Sequence, residues 1–119
     1  MADITSFPPI PQVDVQAFAQ HLATAASLPQ LIDVREPQEV EIAYLEGFEV
    51  LPLSQFSQWS DTIRSRFDPD TETFVLCHHG VRSQQMCQWL RLQGFTNVKN
   101  IIGGIAAYSV YIDPAIPQY

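Results

Sequence analysis

Thr73-Phe74-Val75-Leu76-Cys77-His78-His79-Gly80-Val81-Arg82-Ser83 is the stretch on which the fold turns. Residues 73–76 combine β-formers with an apolar end and read as a buried strand. Downstream, Met86, Trp89 and Leu90 recur at helical spacing, and Gly94 is placed to end that helix. A short loop with Gly80 joins the two, and glycine lets the backbone curl closely there. Cys77 thus stands at the carboxyl end of a strand, directly before a helix.

Upstream, Asp14 can cap a helix with Val15, Phe18 and Leu22 on one face. Leu31-Ile32-Asp33-Val34 reads as a short buried strand, and Pro37 suits the first turn of a helix reaching about Tyr44. Phe48 to Leu51 reads as another strand. Ser54 is placed to cap a helix in which Phe56, Trp59, Ile63 and Phe67 recur at spacings of three, four and four. Asp68-Pro69-Asp70 marks a turn. After Gly94, Val98 to Ile102 predicts a last strand, and Gly103-Gly104 a turn into a short helix through Tyr108. The Pro-rich ends, residues 1–10 and 113–119, are expected to be extended or frayed, leaving one domain over residues 11–112. Strands alternating with helices predict an α/β fold, a mostly parallel sheet covered by helices on both faces. Ligands in such folds sit beyond the carboxyl ends of the strands, which is where Cys77 lies.

Composition agrees with one domain. The chain has 119 residues, 46% of them hydrophobic, enough for a core without disulfides. Six basic residues against 13 acidic ones give a net charge of -7. That argues against nucleic-acid binding and against an anionic membrane surface. No stretch approaches the roughly 20 apolar residues of a membrane span. Met1-Ala2-Asp3-Ile4-Thr5 lacks the pattern of a secretory signal. Cys77 and Cys87 are too few for a disulfide framework, so both are expected as reduced thiols in the cytoplasm.

The loop after Cys77 is suited to an anion. Its amides can form a nest, the following helix adds the positive end of its dipole, and Arg82 adds a permanent charge. Each favours thiolate over thiol, and a thiolate is a nucleophile at neutral pH. The loop contains no acid to protonate a poor leaving group. Sulfur transfer needs none. A thiolate can attack the outer sulfur of a thiosulfonate-like donor, expel an anion such as sulfite, and keep the sulfur as a persulfide.

At this point the chain resembles a known family. Cys77-His78-His79-Gly80-Val81-Arg82-Ser83 is similar to the active-site loop of the rhodanese superfamily. Leu31-Ile32-Asp33-Val34-Arg35-Glu36-Pro37 resembles its Asp-x-Arg-Glu box, and Asn100-Ile101-Ile102-Gly103-Gly104-Ile105 its double-glycine turn. The resemblance implies a three-layer rhodanese-like fold with a five-stranded parallel sheet flanked by helices. It implies a sulfurtransferase of the thiosulfate type, with Cys77 as the nucleophile. By position, His78, His79, Gly80, Val81, Arg82 and Ser83 are the expected substrate-binding residues. Their amides would cradle the persulfide, while Arg82 and the two histidines would recognise an anionic donor. Asp33 and Arg35 would brace the loop. The implied partners are a small sulfur donor, thiosulfate or a persulfide, and a thiol-protein acceptor. No cofactor is implied, and the chain is taken as a monomer.

The same residues admit other readings. Adjacent His78 and His79 lack the spacing of metal ligands and no second cluster exists, so no metal is expected. Cys87 falls in mid-helix and is expected in the core, as are Trp59 and Trp89. His21 is expected on a helix surface or satisfied by a partner. A cysteine phosphatase or arsenate reductase would need five residues between Cys and Arg; here there are four. A non-catalytic sulfur carrier or regulatory rhodanese-like module is the other alternative.

Overall fold

The strand before Cys77 lies at the centre of the sheet and is buried along its whole length in the computed structural model, which describes residues 8–119. The part of the expected N-terminal extension in residues 1–7 lies outside the described residues. In chain order the elements are β1 (Gln12–Val13), α1 (Val15–Thr24), β2 (Gln30–Asp33), α2 (Pro37–Ile42), β3 (Glu49–Val50), α3 (Phe56–Trp59), α4 (Ile63–Arg66), β4 (Thr73–Leu76), α5 (Val81–Leu92), β5 (Val98–Ile101) and α6 (Gly104–Tyr111). The strands form one sheet in the order β1-β5-β4-β2-β3, and every pairing is parallel.

Side-chain alternation along β4 explains the three layers. Phe74 and Leu76 point into a core shared with Val15 and Phe18 of α1 and Ile105 of α6. Val75 and Cys77 point into the opposite core, with Trp59, Ile63 and the α5 residues Met86, Cys87 and Leu90. Phe18 meets the Phe74 ring edge-on at 5.1 Å. Asp14 caps α1 as the sequence predicts, its carboxylate accepting from the Ala17 amide at 2.7 Å. His21 on that helix is paired with Glu72 at 2.6 Å.

Four local expectations give way. The helix expected after Ser54 is a broken segment in which two 3₁₀ turns, Leu53–Gln55 and Ser60–Thr62, alternate with α3 and α4. Spacings of three and four suit both helix types, so the apolar pattern does not reveal the breaks. Ser54 does not cap: its hydroxyl and amide are bonded to the Glu36 carboxylate. α2 stops at Ile42, short of Tyr44, and the strand expected over 48–51 is only Glu49–Val50. β1, which the sequence shows only as part of a Pro-flanked stretch, supplies the fifth strand by pairing with β5.

The tail after α6 has no regular structure, yet it returns to the sheet's functional edge, where Tyr119 contacts residues from three other segments.

Candidate active site

β4 delivers Cys77 to the carboxyl edge of the sheet, where its side chain is 1% exposed. The chain then turns through Gly80, whose φ of 101° is unfavourable for any other residue. This turn brings the Gly80 amide back to donate to Cys77 Sγ at 3.0 Å. Of the amides from His78 to Ser83, Gly80 makes the hydrogen bond to sulfur. Ser83, in the first turn of α5 and fully buried, places Oγ 3.2 Å from the same sulfur. Ser83 also donates to Asn100 Oδ1. Asn100 in turn donates to the Gly80 carbonyl at 3.0 Å and to Gln12 at 2.8 Å. One buried amide on β5 thereby fixes the loop, the helix start and β1 together.

The double glycine seats the loop from the other side. The amides of Ile105 and Ala106, in the first turn of α6, donate to the carbonyls of Cys77 (3.0 Å) and His78 (3.1 Å). A Cβ on Gly104 would stand 2.4 Å from both carbonyl oxygens. Gly104 of the marker therefore lets the helix approach the backbone of the Cys77 loop, while Gly103 leaves room for Ala107 of the same helix.

His78 and His79 stack on each other at 3.9 Å, and His78 stacks on Tyr119 at 3.8 Å with the rings 7° from parallel. Burial, then the neighbouring His79, hold His78 below the ordinary histidine range, so it is mostly neutral at pH 7. Val81 is exposed at the start of α5.

Arg82 does not face the sulfur as an unpaired cation. Its two terminal nitrogens each donate at 2.8 Å to the Glu39 carboxylate on α2. Glu39 also accepts from the Glu36 amide at 2.9 Å and from the Tyr119 hydroxyl at 3.0 Å. With four donors on it, chiefly Arg82, Glu39 is lowered to about 2, and Arg82 is raised by the same pair.

Asp33 and Arg35 form a second pair behind the first. Arg35 is fully buried and reaches Asp33 through Nη2 at 2.7 Å and Nε at 3.0 Å. Its remaining nitrogen donates to Tyr119 Oη at 2.9 Å. Burial works against its charge, and Asp33 with Tyr119 outweighs that, leaving Arg35 raised. Burial likewise raises Tyr119. Cys87 is fully buried in α5, and burial pushes its thiol up to about 12.

The sequence reading missed three members of this cluster. Asn100 left a faint trace, as the first residue of the double-glycine motif. Glu39 left a weaker one, one helical turn after Arg35. Tyr119 left none. A cavity of about 360 Å³ lies elsewhere, between Pro8, Ile10 and the α5 residues Gln84, Gln88 and Arg91, and holds no residue of the Cys77 loop. Among the described residues, no helix is long and apolar enough to cross a membrane.

Comparison with known proteins follows the same lines. Residues 14–110 match the model of the rhodanese-like domain. The chain is 58% identical over 90 residues to the rhodanese-like/PpiC domain-containing protein 12, chloroplastic, of Arabidopsis thaliana, covering 76% of this chain and 30% of that protein. It is 35% identical over 92 residues to the adenylyltransferase and sulfurtransferase MOCS3-2 of Zea mays, covering 75% of this chain and 19% of that protein. It thus spans less than a third of either relative. The crystal structure of a rhodanese-like domain protein from Staphylococcus aureus superposes with a TM-score of 0.74 at 21% identity, covering 92% of this chain and 99% of that one. The loop, the box and the double glycine that build the site all fall within the matched span, and the chain belongs to the rhodanese-like domain family.

Proposed function

We propose that Cys77 accepts a sulfane sulfur from a donor and passes it to a thiophilic acceptor through a persulfide. The observation that carries this reading is the pair of groups on one sulfur: the Gly80 amide at 3.0 Å and the Ser83 hydroxyl at 3.2 Å. The amide suits a sulfur anion as it stands, and the hydroxyl does so once its hydrogen turns from Asn100 to the sulfur. The thiolate attacks the outer sulfur of thiosulfate or of a persulfide. The old bond to that sulfur breaks, and sulfite or a thiolate leaves with the electron pair. Cys77 is left as Cys77-S-S⁻, which a thiol of an acceptor protein or a small nucleophile then relieves of its outer sulfur. No external oxidant or reductant enters, and no acid is needed.

Asp33 and Arg35 act in this reading as braces, because their charges are spent on each other and on Tyr119. Val81 and the two histidines form the rim at which a donor arrives. The domain acts as a monomer in a reducing compartment of the cytoplasmic kind, where both thiols stay free. A phosphatase reading is disfavoured, since Arg82 is engaged with Glu39 instead of facing the loop.

A second reading is a non-catalytic sulfur-carrier or regulatory module, favoured by 30% identity over 96 residues to the putative sulfur carrier protein YrkF of Bacillus subtilis. Intact-mass measurement after exposure to thiosulfate or a persulfide is expected to show one added sulfur, absent in Cys77→Ser. Steady-state turnover with a thiol or cyanide acceptor separates the catalyst from the carrier, which would load without appreciable turnover. A Cys77→Ser chain that retains activity would sink both.

A further inference from the structure

We infer that Glu39 is a specificity-determining residue that cancels the charge of Arg82 and so selects a thiol-borne persulfide, R-S-SH, over a sulfur oxyanion as donor. The inference rests on the sulfur-transfer reading and narrows its substrate class. Its ground is the way the guanidinium groups beside the loop are spent. Both terminal nitrogens of Arg82 end on Glu39, at 2.8 Å each. Arg35 ends on Asp33 and on the Tyr119 hydroxyl. Arg35 keeps no fork free, and the charge of Arg82 is balanced by a carboxylate at contact distance on both of its terminal nitrogens.

Arg82 is also held in place. The Glu36 amide and the Tyr119 hydroxyl occupy the other two acceptor positions of the Glu39 carboxylate. Swinging Arg82 toward a ligand would break two charge-assisted bonds and leave a carboxylate facing the incoming anion. Burial, then His79, disfavours the charged form of the stacked His78, so it adds little positive charge. Over longer range the chain carries a net charge of -7, which repels a small dianion.

An organic persulfide needs no such cation. The Cys77 thiolate attacks its terminal sulfur, the S–S bond of the donor breaks, and RS⁻ leaves with the electron pair and takes up, through water, the proton that the transferred S–H gives up, leaving Cys77-S-S⁻ and RSH. The organic part finds apolar and aromatic side chains on and beside the loop: Val81 is 68% exposed, Ile102, which lies against Gly80, is 43% exposed, and His78 carries the Tyr119 ring stacked on it.

The test compares the rates at which Cys77 gains sulfur from thiosulfate and from the persulfide of N-acetylcysteine methyl ester, an uncharged thiol. Wild-type protein is expected to prefer the persulfide. In Glu39→Gln, which keeps the size of the side chain, Arg82 is released. The thiosulfate kcat/KM should then rise about tenfold relative to the persulfide kcat/KM, through the KM for thiosulfate. The double variant Glu39→Gln/Arg82→Gln should lose that gain, an outcome that a merely structural Glu39 would not give. An unchanged donor ratio in a folded Glu39→Gln chain overturns the inference, as does a wild-type preference for thiosulfate. Failure of both donors to load Cys77 defeats the parent reading instead. Presenting the persulfide on a cysteine of a short uncharged peptide tells the source: faster loading than from the small thiol marks a protein donor, slower loading a small-molecule one, and either keeps the class.

Discussion

Gly104 lies against the carbonyl of His78 so closely that a Cβ on it would stand 2.4 Å from the oxygen. Its φ of 60° also lies where side chains are disfavoured. Gly104→Ala therefore meets backbone strain and a backbone clash together, and the loop must shift to relieve them. We predict a loss of roughly 1–3 kcal/mol in urea denaturation. Sulfur loading should slow in the fraction that remains folded, because the two carbonyls that α6 holds belong to Cys77 and His78. Loading at the wild-type rate would show that the α6 contact does not set the loop.

The two cysteines should separate cleanly. Cys77→Ser is expected to abolish sulfur uptake with little change in stability. Cys87→Ala should take up one sulfur as the wild type does and lose about 1 kcal/mol of stability by leaving a gap in the α5 core. Burial pushes the Cys87 thiol up to about 12, so its thiolate is about one part in 10⁵ at pH 7. Intact-mass analysis of the two variants decides this. A second sulfur on Cys87 under native conditions would contradict the burial.

Ser83 has one hydroxyl hydrogen and two claimants for it, Cys77 and Asn100. While Asn100 holds it, Ser83 can only accept from the thiol. Turned to the sulfur, it becomes a second donor beside the Gly80 amide. Ser83→Ala should slow persulfide formation about tenfold, the effect of one lost hydrogen bond to a charged group. It should also cost roughly 1–2 kcal/mol, since Asn100 Oδ1 loses its buried donor. Rapid-quench mass spectrometry gives the rate, and thermal unfolding gives the stability.

Tyr119 joins the stack and the charge network through different atoms. Tyr119→Phe keeps the ring on His78 and removes the hydroxyl shared by Arg35 and Glu39. A loss of about 1 kcal/mol is expected, and more in Tyr119→Ala, where the ring goes too. Equal losses in both variants would mean that the stack contributes nothing.

Much of this was legible in the residues, for reasons that can be named. Thr73 to Leu92 reads correctly because a β-forming run, a glycine and an amphipathic stretch all agree locally. Asp14 announces α1 by its own side chain. β1 does not announce itself: a two-residue strand after Pro11 has too few side chains to show a period. The breaks between 53 and 66 hide because 3₁₀ and α turns place apolar residues at similar intervals. The site divides in the same way. Cys77, Gly80 and Ser83 act within one loop, so their spacing shows them. The sequence shows Arg82 only as a permanent charge because its partner lies 43 residues away, and Tyr119 reaches Glu39 across 80 residues. Local pattern carries no record of such distant pairings.

The Glu39–Arg82 pair should leave a mark on acid stability. Glu39 is lowered from 4.5 to about 2, chiefly by its bonds to Arg82. A carboxylate lowered in the folded state stabilises above its unfolded value and loses that stabilisation as pH falls through its folded value. The contribution of Glu39 is therefore complete at pH 7 and still complete at pH 6. It declines below about 4.5 and is gone near 2. Its size is about 2 kcal/mol once the partial exposure of Arg82 is discounted. Glu39→Gln keeps the shape and removes the titration. The stability gap between wild type and this variant should be flat from pH 7 to 6 and close progressively between 4.5 and 2, as measured by urea denaturation at each pH. A gap that closes instead between pH 7 and 6 would assign it to a histidine. A gap unchanged down to pH 2 would mean that Glu39 does not titrate against Arg82 at all.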